Sequence, residues 1–459
     1  MEKIGIKRKS TYSASKIPVT TAVSYHPLLC VLTLNVLVWE LPLNMNSITQ
    51  DKELYSFIKK EEKRQREVIN LVASENYASK AVRQVQASVL TNKYAEGYPW
   101  KRYYGGTKYI DDIEQLAIDR CLKLFVPAAK IKNWHANVQP YSGTSPNLAV
   151  YFAVLKPLET ALAMDLAAGG HLSHGSKLSI SGKIFNFVHY GVSRQLQLID
   201  FEEVRALAKK YRPKLIVAGA SAYPRIIDFK KFREITNETG SLLLIDMAHI
   251  AGLVAAEAHP SPIPFADFVT SSTQKTLRGP RGGFILCKKE FAPSLDKALF
   301  PGLQGGPLEH IIAAKAVCFK EAATSEFKNY IREVLKNAKV LAEMLKKEGF
   351  KLTSGGTDNH LLNIDFGSGG PNGKEVEEAL EEVGIIVNRE VVPGDIRPPF
   401  IASGIRVGTP AVTTRGMKEK EMKTIASWLS LLIKNLNNKK ISEEISKRVK
   451  ILTKKFPVA

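Results

Sequence analysis

KLIVAGASAYPRIIDFKKFREITNETGSLLLID, residues 214–246, decides how this chain folds. Its first six residues, KLIVAG, form a short apolar run of strand type. FKKFREITNETG (229–240) then carries helical spacing, and SLLLID (241–246) returns to an apolar run. Strand, helix and strand in that order make a βαβ unit, whose two strands lie parallel in one sheet. DFVTSS (267–272) and GFILCK (283–288) extend the sheet, and the fold class expected is α/β. In open α/β sheets ligands collect beyond the carboxyl ends of the strands. Asp246, Ser221 and the loop after residue 272 are predicted to meet there.

Outward from this unit the pattern changes twice. Upstream, DKELYSFIKKEEKRQREVINLVASEN, from Asp51, reads as a charged helix running into a short apolar stretch and a polar loop. DDIEQLAIDRCLKLF (111–125) opens on two acids suited to capping and repeats Ile113, Leu116 and Ala117 at helical spacing, which predicts an amphipathic helix. Downstream, IREVLKNAKVLAEMLKKEG (331–349) has apolar residues at 331, 334, 335, 338, 341, 342 and 345 and stops on Gly349, predicting a long connecting helix. HLLNIDF, GKEVEEALEEVG, IIVN and EKEMKTIASWLSLLI follow and predict a small α+β domain. The division expected is an extension over 1–45, a helical arm over 46–90, a large domain over 91–325, a small domain over 326–436 and a basic tail over 437–459. No internal repeat is visible.

At 459 residues and 44% hydrophobic content the chain can bury more than one core. Its formal charge of +20 raises nucleic acid as a partner, yet the distribution argues otherwise. Residues 434–459 hold eight Lys/Arg against two Glu and residues 1–45 five against two, so the ends supply nine of the twenty charges. No RNP, zinc-finger or basic-zipper pattern accompanies them, and an anionic small molecule fits the charge equally well. Cys30, Cys121, Cys287 and Cys318 lie far apart with no CxxC pair, which argues against a zinc site or disulfide framework and for a reducing compartment. The expectation is a cytoplasmic chain with no metal and no membrane partner. LLCVLTLNVLVW (28–39) is too short to span a bilayer comfortably, and no small-x-small cleavage site follows it. Met45 is read as the true start, with a targeting or membrane-surface segment and a structural extension as the alternative readings of what precedes it.

SSTQKTLRGPRGG (271–283) sets Lys275 among small hydroxyl residues ahead of a Gly/Pro-rich turn. By itself that is an ordinary surface lysine. It becomes a nucleophile where its amine can be deprotonated and a carbonyl partner is held in place, which is how imine chemistry with pyridoxal phosphate begins. Such a cofactor makes further demands. A carboxylate must face the pyridine nitrogen, and Asp246 ends a predicted strand. The phosphate needs clustered backbone N–H groups and hydroxyls; YSGTSPN (141–147) offers Ser142, Gly143 and Thr144, and QGGP (304–307) offers Gly305 and Gly306. His171 in GGHLSHG can cover the ring. His249 in DMAHIAGL is either a partner in the same site or a satisfied core histidine. Each string has a bland structural reading, and their joint occurrence in this order carries the weight. Glu96 in KYAEGYP lies among Tyr94, Tyr98, Tyr103 and Tyr104, surroundings that can desolvate a carboxyl and let it carry a proton. The competing reading is a packed Tyr-rich loop with a solvated acid.

These strings, together with LVASENY (71–77), LTNKYAEGYPWKRYYGG (90–106), FPGLQGGPLEH, SGGTDNHL and SGIRVGTPAVT, closely resemble serine hydroxymethyltransferase from about residue 50 to about 435. The resemblance implies a fold-type I pyridoxal-phosphate enzyme, with a mostly parallel seven-stranded sheet in its large domain. It implies reversible conversion of serine and tetrahydrofolate, or a modified pterin, to glycine and the methylene-pterin. Carried over, Lys275 is the imine lysine, Asp246 the pyridinium partner and His171 the ring stacker. Ser221 and His249 are hydrogen-bonding partners of the cofactor. Ser142, Gly143 and Thr144 hold its phosphate, joined by Gly306 from a neighbouring subunit, and Asn147 is a further cofactor-binding residue. Arg406 grips the substrate carboxylate with help from Ser74. Glu96 serves proton transfer and folate positioning, Tyr94 and Tyr104 line the site across a dimer interface, and Leu166, Gly170 and Leu172 match folate contacts. The implied chemistry passes from an external aldimine of serine through Cα–Cβ cleavage to a quinonoid held against Asp246, and ends in glycine. A homodimer with shared sites is implied, with a tetramer left open.

The sequence departs from the family pattern at three places. Gln274 precedes the lysine where histidine is usual, Tyr141 and Pro146 alter the phosphate-loop string, and Glu390 in NREVVPGD stands where many bacterial members carry an asparagine against the pterin. Two other readings remain at this point: a pterin-independent aldolase using the same Lys275, Asp246 and Arg406, and a basic RNA-binding protein on this fold with the Lys-rich tail as its contact.

Overall fold

The computed structural model describes residues 47–458, so the apolar run 28–39 and the expected start at Met45 lie outside the described residues. The chain divides into two compact units at residues 58 and 59. Of the first unit, the described part is a short 3-10 turn, Ile48–Gln50, capped by Ser47, and the opening of a helix Lys52–Glu67. All that follows concerns the second unit.

Seven strands form its main sheet: β1 (Trp134–Asn137), β2 (Thr160–Met164), β3 (Asn186–Tyr190), β4 (Leu215–Gly219), β5 (Leu242–Asp246), β6 (Phe268–Ser272) and β7 (Gly283–Lys288). Their spatial order is β1-β7-β6-β5-β4-β2-β3. β3, β2, β4, β5 and β6 run parallel, and β7 pairs antiparallel with both β6 and β1. The βαβ unit read at 214–246 is the β4–β5 pair, joined by the helix Phe229–Thr239. Asp228 caps that helix through the backbone N–H groups of Lys230 and Lys231.

Strand residues alternate between two apolar layers, as the pleat requires. Leu162, Ile216, Leu243, Ile245 and Val269 face one core with Phe229, Phe232 and Ile235. Ala161, Leu215, Val217, Leu244 and Phe268 face the other with Ala149, Val150 and Tyr151 of the helix Thr144–Val154. The chain is thus a helix–sheet–helix sandwich, the α/β class expected.

The predicted connecting helix is Ser325–Lys347, opened by a Thr324 cap on the N–H of Phe327. It leads to a third core around a four-stranded antiparallel sheet: β8 (Lys351–Leu352), β9 (Leu361–Asp365), β10 (Asn388–Glu390) and β11 (Gly404–Gly408), in the order β8-β9-β11-β10.

Two local readings differ from the structure. The helix predicted from residue 111 is Lys108–Phe125, and its buried face is Ile110, Asp111, Glu114, Ala117, Cys121 and Phe125, while Leu116 is exposed. Asp111 and Glu114 can be buried because Arg102 binds both, at 2.8 and 2.6 Å; a charge enters a core only with its counter-charge. The basic segment after residue 436 is a helix, Lys439–Lys455, whose Ile445 and Val449 are buried in the third core. Its lysines and its apolar stripe share one helix, and charge counting sees only the former.

Candidate active site

Lys275 sits in the loop between β6 and β7, held by its backbone. Its carbonyl accepts a hydrogen bond from Asn76 Nδ2 at 3.1 Å. The neighbouring Thr276 hydroxyl donates to the His249 carbonyl at 2.8 Å and accepts from the Gly252 N–H at 2.9 Å. The side chain enters a cavity of about 580 Å3. Burial pulls the Lys275 amine down to about 8, with Arg406 and Arg281 adding and Asp246 opposing.

Asp246 closes β5 and lies in a buried nest. Its Oδ2 accepts from Asn147 Nδ2 at 2.8 Å and stands 3.0 Å from His174 Nε2, and its Oδ1 accepts from the Ala248 N–H at 2.9 Å. Burial acts to raise its pKa, but the His174 and Asn147 contacts outweigh burial and hold the carboxyl well below the usual range. Asn147 is itself fixed by the Thr270 hydroxyl at 2.6 Å and by Ser173 at 2.9 Å. His171 reaches Ser173 through Nδ1 at 2.7 Å. Burial, then His174, pulls the His171 pKa to about 4, so its ring is neutral near pH 7.

The same cavity is lined by Ser74, Ser142, Gly143, Thr144, Leu166, Gly170, His171, Leu172, Ser221, His249 and Arg406. Gly143 precedes the helix Thr144–Val154, so the start of that helix, where backbone N–H groups lack intrahelical partners, lies at this end of the cavity. Gly170 has no room for a side chain, since a Cβ there would press on the carbonyls of Met164 and Asp165. His249 is buried and stacked on His360, with centroids 5.5 Å apart. Burial, with Lys275 and Arg406 adding, keeps it far below the usual histidine range.

Arg406 projects from the middle of β11. Nη1 donates to the Ser221 carbonyl at 2.7 Å, and Nε donates to Asn388 Oδ1 at 3.2 Å across the β10–β11 register. Glu390, two residues along β10, brings Oε2 to 3.5 Å from the same Nε. Burial raises the Glu390 carboxyl against the pull of Arg406. The departure at 390 therefore places an acid against the arginine, inside the cavity.

Tyr94, Glu96, Tyr104 and Gly306 are not among the cavity-lining residues; they cluster beside the cavity, where the hydroxyl of the lining residue Tyr141 donates to the Gly306 carbonyl at 2.6 Å. Tyr94 donates to Glu96 Oε1 at 3.1 Å, its ring meets Tyr104 edge-on at 5.0 Å, and its carbons lie 3.3 Å from where a Cβ on Gly306 would be. Tyr94 and Tyr104 are 54% and 48% exposed. Glu96 is half-buried, and the Tyr94 and Tyr104 rings beside it open outward next to the short hairpin of residues 97–102.

Compared with models of known families, the chain matches serine hydroxymethyltransferase over residues 48–429. The chain belongs to this family. Members of the serine hydroxymethyltransferase family are pyridoxal-phosphate enzymes that use tetrahydrofolate as co-substrate, and the seven-stranded α/β sheet is the fold-type I architecture of that family. In this hydroxymethyltransferase chain, sequence reading missed His174, Thr270 and Arg281. His174 is the second histidine of HLSHG, and the requirement that a buried carboxylate have donors could have found it. Thr270 was hidden by its place inside an apolar strand, and Arg281 by its place inside the GPRGG turn.

Proposed function

We propose that this chain carries out reversible transfer of the serine hydroxymethyl group to a reduced folate, leaving glycine, with pyridoxal phosphate held at Lys275. The observation that carries the reading is that one cavity is lined by an amine lowered to about 8 and by the Arg406 guanidinium, with the ionised Asp246 carboxylate buried just behind the lining His171, to which Ser173 and Asn147 connect it. These residues suit the cofactor: Lys275 offers an amine to its aldehyde, Asp246 an anion to its pyridine nitrogen, and Ser142, Gly143 and Thr144 donors to its phosphate. When bound, the cofactor supplies an electron sink for the carbon losing its hydroxymethyl group. Asp246, held charged by three donors, would favour the protonated form of the ring nitrogen, and His171, neutral near pH 7, would face the cofactor without adding a competing cation. Arg406 orients the amino acid through its carboxylate, the planar pairing a guanidinium makes well.

Glu96 is assigned proton transfer and folate positioning in a neighbouring subunit's cavity, and Tyr94, Tyr104 and Gly306 accompany it, so the unit of function is a homodimer. Support comes from the exposure of Tyr94 and Tyr104 in one chain and from the absence of all four residues from the lining of that chain's own cavity. Leu166, Gly170 and Leu172 flank the cavity where the pterin is placed.

The test is a visible-absorbance titration of the purified chain with pyridoxal phosphate, then glycine, then tetrahydrofolate. A long-wavelength band that grows only with both ligands is expected. A cofactor band indifferent to tetrahydrofolate would instead favour the pterin-free aldolase reading.

A further inference from the structure

Lys315 lies on the helix Glu309–Ala322 and is 1% exposed, yet nothing in the reading so far uses it. Its Nζ donates to three main-chain carbonyls: Val138 at 2.7 Å, Gly283 at 2.8 Å and Pro140 at 2.9 Å. All three protons of an ammonium are thereby spent, and each on a backbone oxygen. Burying a cation this way is expensive, and burial pulls the amine down to about 7.

The three carbonyls belong to two segments. Val138 and Pro140 lead directly into Tyr141, Ser142, Gly143 and Thr144, the stretch that opens onto the cavity at the start of a helix. Gly283 begins β7 and ends the loop that carries Lys275; that loop is closed by the Thr273 N–H on the Gly282 carbonyl at 3.0 Å. The Gly283 N–H also donates to the Pro140 carbonyl at 3.0 Å. One ammonium thus ties the base of the Ser142–Thr144 loop to the base of the Lys275 loop. A methionine of the same length would fill the space and tie nothing.

We infer that Lys315 is a positioning residue for a phosphate monoester, acting from behind the Ser142–Gly143–Thr144 loop to set its N–H groups and hydroxyls toward the phosphate of the cofactor. The inference rests on the pyridoxal-phosphate reading, and its test separates the two. The full chain, stripped of cofactor, is titrated with pyridoxine 5′-phosphate and with pyridoxine, neither of which forms an imine, while unfolding temperature is followed in parallel. In Lys315→Met the dissociation constant for the phosphate ester rises roughly tenfold, the scale of one charge-assisted hydrogen bond, and that for pyridoxine stays unchanged. Gly282→Ala serves as a second variant, because its Cβ would come within 2.6 Å of Lys315 Cε and push the ammonium aside; it shows the same phosphate-specific loss. Equal weakening for both compounds, or weakening for neither, overturns the inference. A wild-type chain that binds neither compound removes the cofactor reading and this inference together.

Discussion

The nest around Asp246 and the surface cluster around Glu96 are both acids with polar company, and they are built in opposite ways. Asn147, His174 and Thr270 are at most 1% exposed and hold Asp246 in one geometry. At Glu96 only the backbone is fixed. Arg102 Nη1 donates to the carbonyls of Ala95 and Gly97, both at 2.9 Å, and Gln139 donates to Gly97 at 2.9 Å. The carboxylate itself meets one tyrosine hydroxyl. On the proposed reading, the group that holds a fixed charge is assembled inside the chain, whereas the group assigned to the co-substrate has its peptide anchored and its carboxylate less enclosed.

Removing the floor should have the larger effect. Asp246→Asn is expected to lower kcat by roughly 10^3-fold, the scale of losing a preorganised electrostatic partner, measured by steady-state serine cleavage with saturating cofactor. Glu96→Gln should lower the folate-dependent reaction by about 10^2-fold, as for loss of a proton-transfer group, while folate-free cleavage of a 3-hydroxy amino acid stays within about twofold. Equal loss in both assays would erase the distinction drawn between the two acids. Arg406→Lys keeps the charge but loses the fork, and should raise the serine KM about tenfold with a smaller change in kcat.

Two finer tests sharpen the same contrast. The Lys275 amine, lowered to about 8, attacks an aldehyde only when unprotonated. The initial rate of cofactor uptake should therefore rise with pH through about 8 and level off above it, in stopped-flow absorbance. On stability, Asn147→Ala should cost about 1–3 kcal/mol by leaving buried groups unpaired, and Tyr104→Ala less than about 0.5 kcal/mol as a surface change, both by urea denaturation.

Part of this was legible in the residues. The β4–helix–β5 unit shows because its three segments differ in period, Asp246 shows because it ends an apolar strand, and Lys275 shows because it stands among small hydroxyl residues ahead of a Gly/Pro-rich turn. What stayed hidden depends on contacts distant in sequence. Asp111 reads only as suited to capping and nothing in the spacing marks Glu114 as buried; it is Arg102 that lets both enter the core. The Lys439–Lys455 helix reads as a basic tail because eleven or so polar positions mask the Ile445–Val449–Thr453 stripe. His174 is chosen over its neighbour His171 only by the path of the loop that brings it to Asp246, which no spacing rule gives.

The most direct test of the account is borohydride reduction of the chain loaded with pyridoxal phosphate, followed by peptide mapping by mass spectrometry. The account predicts one stable phosphopyridoxyl label, on the peptide carrying Lys275, and none in Lys275→Arg. A label on another lysine, or no label in a chain that binds the cofactor, would contradict it.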